Sequence, residues 1–227
     1  MNRRDFIKVA VAGFGTMLAS GAAINFLSNK NTPEANVPAA EAAQQPTPDG
    51  KQRIVVITSS PHRNGTTSVL AEEFIKGAES KGHNVFRFDA AFHDIHPCQG
   101  CDACGMNGPC VQKDDIENGL IMRLVDADLI ALISPVYYWH VSAQLKTCID
   151  RFYARTGRIS GKQSVLLAAA GSDVPWAMDC LNKYYATLSG YMRWQSRGTV
   201  LATNCKTRED ILKTTYPQAA YNLGHSL

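Results

Sequence analysis

The 227-residue chain has no basic tract. Its 23 lysines and arginines are nearly matched by 20 aspartates and glutamates, a formal charge of +3, so there is no electrostatic case for nucleic acid as a partner. Aromatic residues are sparse, at 8%, while 45% of the chain is hydrophobic, which suits one domain with a substantial core and some accessory sequence. No residue stands out as a general base or a nucleophile, so no side chain is assigned acid-base or covalent chemistry. The chain also lacks the two well-separated CxxC knuckles of a common zinc site. Its seven cysteines are an odd number and unevenly spread. Cys148, Cys180 and Cys205 lie in apolar or helical contexts, where a buried free thiol is the ordinary expectation.

What is present is a run of four cysteines within thirteen residues, Cys98-Gln-Gly-Cys101-Asp-Ala-Cys104-Gly-Met-Asn-Gly-Pro-Cys110. Two overlapping CxxC steps share Cys101, and Cys110 follows after five spacers. Each iron of a [4Fe-4S] cube needs one thiolate, and close-spaced runs of this kind supply them. Gly100, Gly105 and Gly108 add backbone freedom between the thiols. Zinc is the second reading. Disulfides are the third, since two bridges inside so short a loop would be strained.

The N-terminus carries Asn2-Arg3-Arg4-Asp5-Phe6-Ile7-Lys8, then nineteen uncharged residues from Val9 to Leu27 diluted by glycine and polar residues. Residues 1–27 resemble a twin-arginine export signal. The implied location is the periplasm, with a membrane tether where the signal stays uncleaved. Residues 28–50, with Pro33, Pro38, Pro46 and Pro48, read as a linker that cannot bury a core. The globular domain is then 51–227.

Within it, short apolar runs alternate with helical spacing. Strands are expected at Arg53–Thr58, Asn84–Asp89, Asp128–Ile133, Ser164–Ala170 and Trp194–Ala202. Helices are expected from the Val69 region to Lys81, behind the Asp114-Asp115 cap to Val125, from Ser142 to Arg151, and from Trp176 to Leu188. Five strands interleaved with helices imply an α/β fold, an open parallel five-stranded sheet with helices on both faces. Ligands of such sheets sit beyond the carboxyl ends of the strands.

Four unusual loops then share one rim. Ser59 to Ser68, rich in hydroxyls, opens a helix where a phosphate can sit on free amides, with Ser60, His62, Arg63, Asn64, Thr66, Thr67 and Ser68 as candidates. The cysteine loop comes after the second strand. Pro135, Val136, Tyr137, Tyr138 and Trp139 come after the third, and Gly171 after the fourth. A flat apolar molecule bearing a phosphate fits that rim, and flavin mononucleotide (FMN) is such a molecule.

From Ile54 to Arg151 the chain resembles the iron-sulfur flavoproteins of the flavodoxin-like, NADPH-dependent FMN reductase superfamily. Ser60, Pro61, Gly65 and Thr67 match the Gly-Ser-Pro-Arg-x-x-Gly-Asn-Thr phosphate loop, with Ser59, His62 and Thr66 as departures. Ser134-Pro-Val-Tyr137 matches the flavin loop, and Ser142 to Arg151 matches the helix after it. The resemblance implies FMN against Ser60, Thr66, Thr67, Ser68 and Tyr137, a [4Fe-4S] cluster on Cys98, Cys101, Cys104 and Cys110, and a homodimer or higher oligomer. It fades beyond Gly171. The expected function is an oxidoreductase passing electrons to a small-molecule acceptor. Export implies a redox protein or quinone-linked donor rather than a nicotinamide cofactor. Two other functions stay open: a cluster-free NAD(P)H-dependent FMN or quinone reductase, and a noncatalytic flavodoxin-like electron carrier.

Overall fold

The structure is a computed structural model that describes residues 50–227. The expected signal at 1–27, and all of the linker at 28–50 except Gly50, lie outside the described residues. Among the described residues no helix is long and apolar enough to cross a membrane.

The elements in chain order are β1 (Arg53–Thr58), α1 (Thr66–Ser80), β2 (Asn84–Asp89), α2 (Ile121–Asp126), β3 (Leu129–Tyr137), β4 (His140–Val141) and α3 (Ala143–Arg151). After them come α4 (Thr156–Ile159), β5 (Gln163–Ala169), α5 (Asp179–Tyr191), β6 (Gln195–Ala202), α6 (Arg208–Leu212) and α7 (Tyr216–His225). Five strands pair in parallel in the order β2-β1-β3-β5-β6, and the short β4 pairs antiparallel with β3. This is the expected doubly wound, flavodoxin-like sheet with helices on both faces. The period of two in the strands builds both cores. Ile54 and Val56 face one layer with Val69, Leu70 and Phe74 of α1, whereas Val55 and Ile57 face the other with Leu124, Leu145 and Leu181. Parallel strands covered on both sides read as unbroken apolar runs, which is why β1, β3 and β5 are conspicuous in the sequence.

Two glycines set the closest helix contact. Gly77 of α1 and Gly224 of α7 meet so tightly that a Cβ on Gly77 would lie 2.1 Å from the Tyr221 carbonyl oxygen, and one on Gly224 would lie 2.1 Å from that of Phe74. Elsewhere a buried cation closes a junction. Lys162, just before β5, donates from Nζ to the Val125 carbonyl at 2.8 Å and to the Ala127 carbonyl at 2.6 Å, which terminates α2. Burial pushes its pKa down to about 8.

Several boundaries differ from expectation. The third strand was expected to end at Ile133, but β3 runs on through Pro135, which sits opposite Ala169, to Tyr137. Proline donates no backbone hydrogen bond, yet its place here is near the strand's end. The helix behind Asp114 opens as a π turn over Ile116–Leu120 before α2. The fourth helix is shifted, starting at Asp179 and reaching Tyr191. Helices α6 and α7, beyond the last expected strand, were not anticipated.

Candidate active site

The carboxyl ends of β1, β3 and β5 open onto one cleft of about 670 Å³, in the range of cofactor sites. Nine of the sequence candidates line it: Ser60, His62, Arg63, Asn64, Thr66, Pro135, Val136, Tyr137 and Gly171. Gly65 precedes α1, and no side chain caps that helix. The first-turn amides of a fifteen-residue helix are thus left without a side-chain acceptor beside the cleft, as a phosphate requires. The loop before it is bonded within itself: the His62 amide donates to Ser60 Oγ at 3.1 Å and the Gly65 amide to the His62 carbonyl at 3.1 Å. Ser59, which departs from the family's glycine, is fully buried and donates to the Ile133 carbonyl at 3.2 Å. It fastens β1 to β3.

Two candidates of the loop are placed otherwise. Thr67 and Ser68 are buried and line a separate cavity of about 140 Å³ with Arg87 and Asp89. Ser68 Oγ donates to the His62 carbonyl at 3.4 Å, so it braces the loop. Arg63 borders both spaces, with its guanidinium 3.6 Å from the Phe92 ring centroid, a cation-π contact that fixes it at the rim.

Tyr138 and Trp139 line a third space of about 310 Å³ that shares Val136 and Gly171 with the main cleft. They are the two central residues of the β3–β4 hairpin, at φ of 48° and 66°. A two-residue hairpin loop with both φ values positive favours glycine and asparagine, yet two aromatics occupy it. Trp139 packs edge-on to Trp176, with ring centroids 4.4 Å apart. Tyr138 is 99% exposed. Left-handed backbone costs a bulky L-residue about 1–2 kcal/mol, and a side chain in open solvent returns little of it. Replacing Tyr138 with glycine is therefore expected to raise stability by about 0.5–1 kcal/mol after glycine's greater chain entropy is counted. Thermal unfolding measures this, and an unchanged or lower midpoint would show that the tyrosine makes a stabilising contact.

The sequence reading missed the far side of the cleft, Cys205, Lys206, Thr207 and Arg208, as well as Ala169. A capping box holds this segment. Thr207 Oγ1 accepts from the Asp210 amide, and the Asp210 carboxylate accepts from the Thr207 amide at 2.9 Å and the Lys206 amide at 3.1 Å. Thr207-x-x-Asp210 is a readable signature of a helix start.

The cysteine loop is anchored at its base. Arg151, 2% exposed, donates from Nη1 to Asp114 Oδ2 at 2.6 Å and to the His96 carbonyl at 3.0 Å. From Nη2 it donates to Asp114 Oδ1 at 3.1 Å and to the Gln112 carbonyl at 3.3 Å. Arg155 donates to the Gly108 carbonyl and pairs with Glu117 at 3.3 Å. Tyr153 Oη donates to Asp102 at 2.7 Å. Cys110 is buried, Cys104 half-buried, and Cys98 and Cys101 exposed. The expected convergence of four thiols is not found: among the described residues no three His, Cys, Asp or Glu side chains stand close enough to hold an ion. Asp102 and Met106, and Gly100 and Gly105 beside them, take positive φ, so the chain turns repeatedly between the anchors that Arg151 makes on both sides of the loop. The donor chemistry suits iron-sulfur or zinc, but the loop as folded does not fit a cube.

FMN is different, because the residues present fit it: an uncapped helix N-terminus, aromatic side chains on the adjoining hairpin, and a lining without a carboxylate. Residues 52–202 match the family described as NADPH-dependent FMN reductase. The chain belongs to that family. It is thus grouped with flavin-dependent oxidoreductases. An iron-sulfur flavoprotein of Archaeoglobus fulgidus is 37% identical over 113 residues, 48% of this chain and 50% of the relative. One from Methanocaldococcus jannaschii is 34% identical over 99 residues, 44% of this chain and 51% of the relative. The chain thus spans about half the length of these relatives. Among solved structures, the NAD(P)H:quinone oxidoreductase from Methanothermobacter marburgensis superposes with a TM-score of 0.61 over 78% of this chain and 96% of that one. At 16% identity this likeness concerns the fold.

Proposed function

We propose that this flavoprotein is an FMN-dependent oxidoreductase that passes electrons to a small-molecule acceptor. The observation that carries the reading is the meeting of an uncapped helix N-terminus, Pro135 to Tyr137 and Gly171 around one cleft with no carboxylate in its lining. Bound FMN supplies the chemistry of taking up electrons singly or in pairs. The chain's own residues do the rest. The α1 amides and the Thr66 hydroxyl would hold the phosphate, Val136 and Tyr137 would give the ring an apolar wall, and Pro135 stiffens the backbone that carries them.

In its finer form the proposal adds a [4Fe-4S] cluster on Cys98, Cys101, Cys104 and Cys110, which requires the first three thiols to fold in toward buried Cys110. The relatives' names support that assignment. The exposure of Cys98 and Cys101 favours a second reading, a cluster-free reductase with zinc-bound or free thiols. The proposal also includes export by the twin-arginine route to the periplasm, a redox-protein or quinone-linked donor, and a homodimer or larger assembly.

One preparation tests these points. Full-length protein purified without oxygen is expected to carry about one FMN, with about four irons and four labile sulfides per chain. Cys101→Ser is expected to lose the iron and sulfide while keeping the FMN. FMN with zinc and no sulfide would select the second reading, and protein without FMN would overturn both. Reduction by NADPH is expected to be slow, and rapid turnover at micromolar NADPH, a usual enzyme range, would overturn the donor assignment.

A further inference from the structure

We infer that Lys206 and Arg208 form a second, basic wall of the cleft that grips the phosphate of FMN, so that the chain tells FMN from riboflavin by groups on two sides. The inference rests on the FMN reading above. The first side is the Ser60–Thr66 loop with the free amides of α1. The second is the segment after β6, which belongs to none of the motifs that mark the loop.

Three observations support it. The charged residues lining the cleft are Arg63, Lys206 and Arg208, with His62 also present and no aspartate or glutamate among them. A cleft of that composition selects an anion. Second, the segment is held in place. The capping box ties the backbone of residues 206 and 207 to Asp210, and Gly171 leaves room for Lys206: a Cβ there would come within 3.0 Å of Lys206 Cγ. Third, Arg208 spans to α1. One of its guanidinium nitrogens lies 3.4 Å from Glu72 Oε2, and its Nη1 is buried with no hydrogen-bond partner among the described residues. A buried donor without an acceptor is costly, and a turn of the Arg208 side chain toward the cleft it lines would give that donor a phosphate oxygen. Arg63 is held at the rim against Phe92, and Lys206 and Arg208 add to its positive charge from the second side of the cleft.

The alternative role for Arg208 is a strut from α6 to α1 through Glu72. The two roles separate in a binding titration of flavin-free protein, with FMN and riboflavin as the probes and flavin fluorescence as the readout. Lys206→Gln and Arg208→Gln are each expected to weaken FMN about tenfold, the usual scale of one charge-assisted hydrogen bond, and to leave riboflavin unchanged. Lys206→Arg should retain FMN affinity. Glu72→Gln removes the strut but keeps the cation, and FMN should bind to it as tightly as to wild type. If Arg208→Gln and Glu72→Gln weaken both flavins alike, or if the glutamine variants discriminate as wild type does, the basic wall is refuted while the FMN reading stands. If wild type binds neither flavin, the FMN reading itself fails and takes this inference with it. Should Arg208→Gln not fold, exposed Lys206 still decides the matter by the same FMN-to-riboflavin ratio.

Discussion

Arg151→Met is expected to destabilise the fold by about 3–5 kcal/mol, the scale seen when one partner of a buried ion pair is removed. Arg151 and Asp114 are 2% and 4% exposed, and the guanidinium also satisfies the carbonyls of His96 and Gln112. Methionine would leave a carboxylate buried without its countercharge and two carbonyls without donors. Adding Asp114→Leu should recover part of the loss, because an apolar pair of similar volume restores packing without an unpaired charge. The pH dependence gives the sign. Burial alone would raise the pKa of Asp114, but the Arg151 hydrogen bonds and the amides of His96 and Glu117 outweigh it and hold the group below its ordinary value. In wild type this group's contribution is complete above the ordinary carboxylate pKa and disappears as pH falls through the depressed folded value. In Arg151→Met the lone carboxylate should titrate above its ordinary value, so acidification should narrow the gap between variant and wild type. Urea melts from neutral pH to about pH 4 measure this. A gap that is small, or that widens with acid, would show that the pair does not hold the loop.

The second large effect is expected at Gly77. An alanine Cβ there would enter the Tyr221 carbonyl at 2.1 Å and lie 2.9 Å from the His225 amide nitrogen, both backbone atoms of α7 that no rotamer change can move. The helices must separate along their shared face, opening the core that Phe74, Ala78 and Ala220 close. A cost of about 3 kcal/mol is expected, the upper part of the range for overpacking. An isolated α1 would instead gain from alanine, whose helix propensity exceeds that of glycine by about 1 kcal/mol. The sign of the measured change therefore separates tight helix packing from local propensity. A stabilised Gly77→Ala would mean that α7 does not sit against α1 in solution.

The strands and the helices after β1 and β3 were legible because each writes its burial into local sequence: Ile54-Val-Val-Ile57 as a run covered on both faces, Ser142 as a cap. The loops that meet at the cleft were legible by the same route, since a parallel sheet puts every strand's carboxyl end on one edge. The features that could not be read depend on contacts distant in sequence. Gly77 and Gly224 look like ordinary helix glycines until α7 is laid on α1. Lys206 and Arg208 carry no motif and reach the cleft because α6 crosses toward Glu72. The hydroxyls of Thr67 and Ser68 belong to the same hydroxyl-rich run as Ser60 and Thr66, but the helix turns them inward, away from the main cleft. Spacing placed four cysteines on one short loop. It could not show that Arg151 grips the chain on both sides of that loop while Cys98 and Cys101 stay at the surface.

Lys162 carries a consequence for alkaline solution. A neutral amine keeps two N–H groups, enough for both carbonyls at the end of α2, so shedding a proton near its folded pKa of about 8 need not disturb the junction. The unfolded chain holds that proton to the ordinary lysine value of 10.5, so between the two it binds more protons than the native state does. Through this one group, then, mild base tightens the protein instead of loosening it.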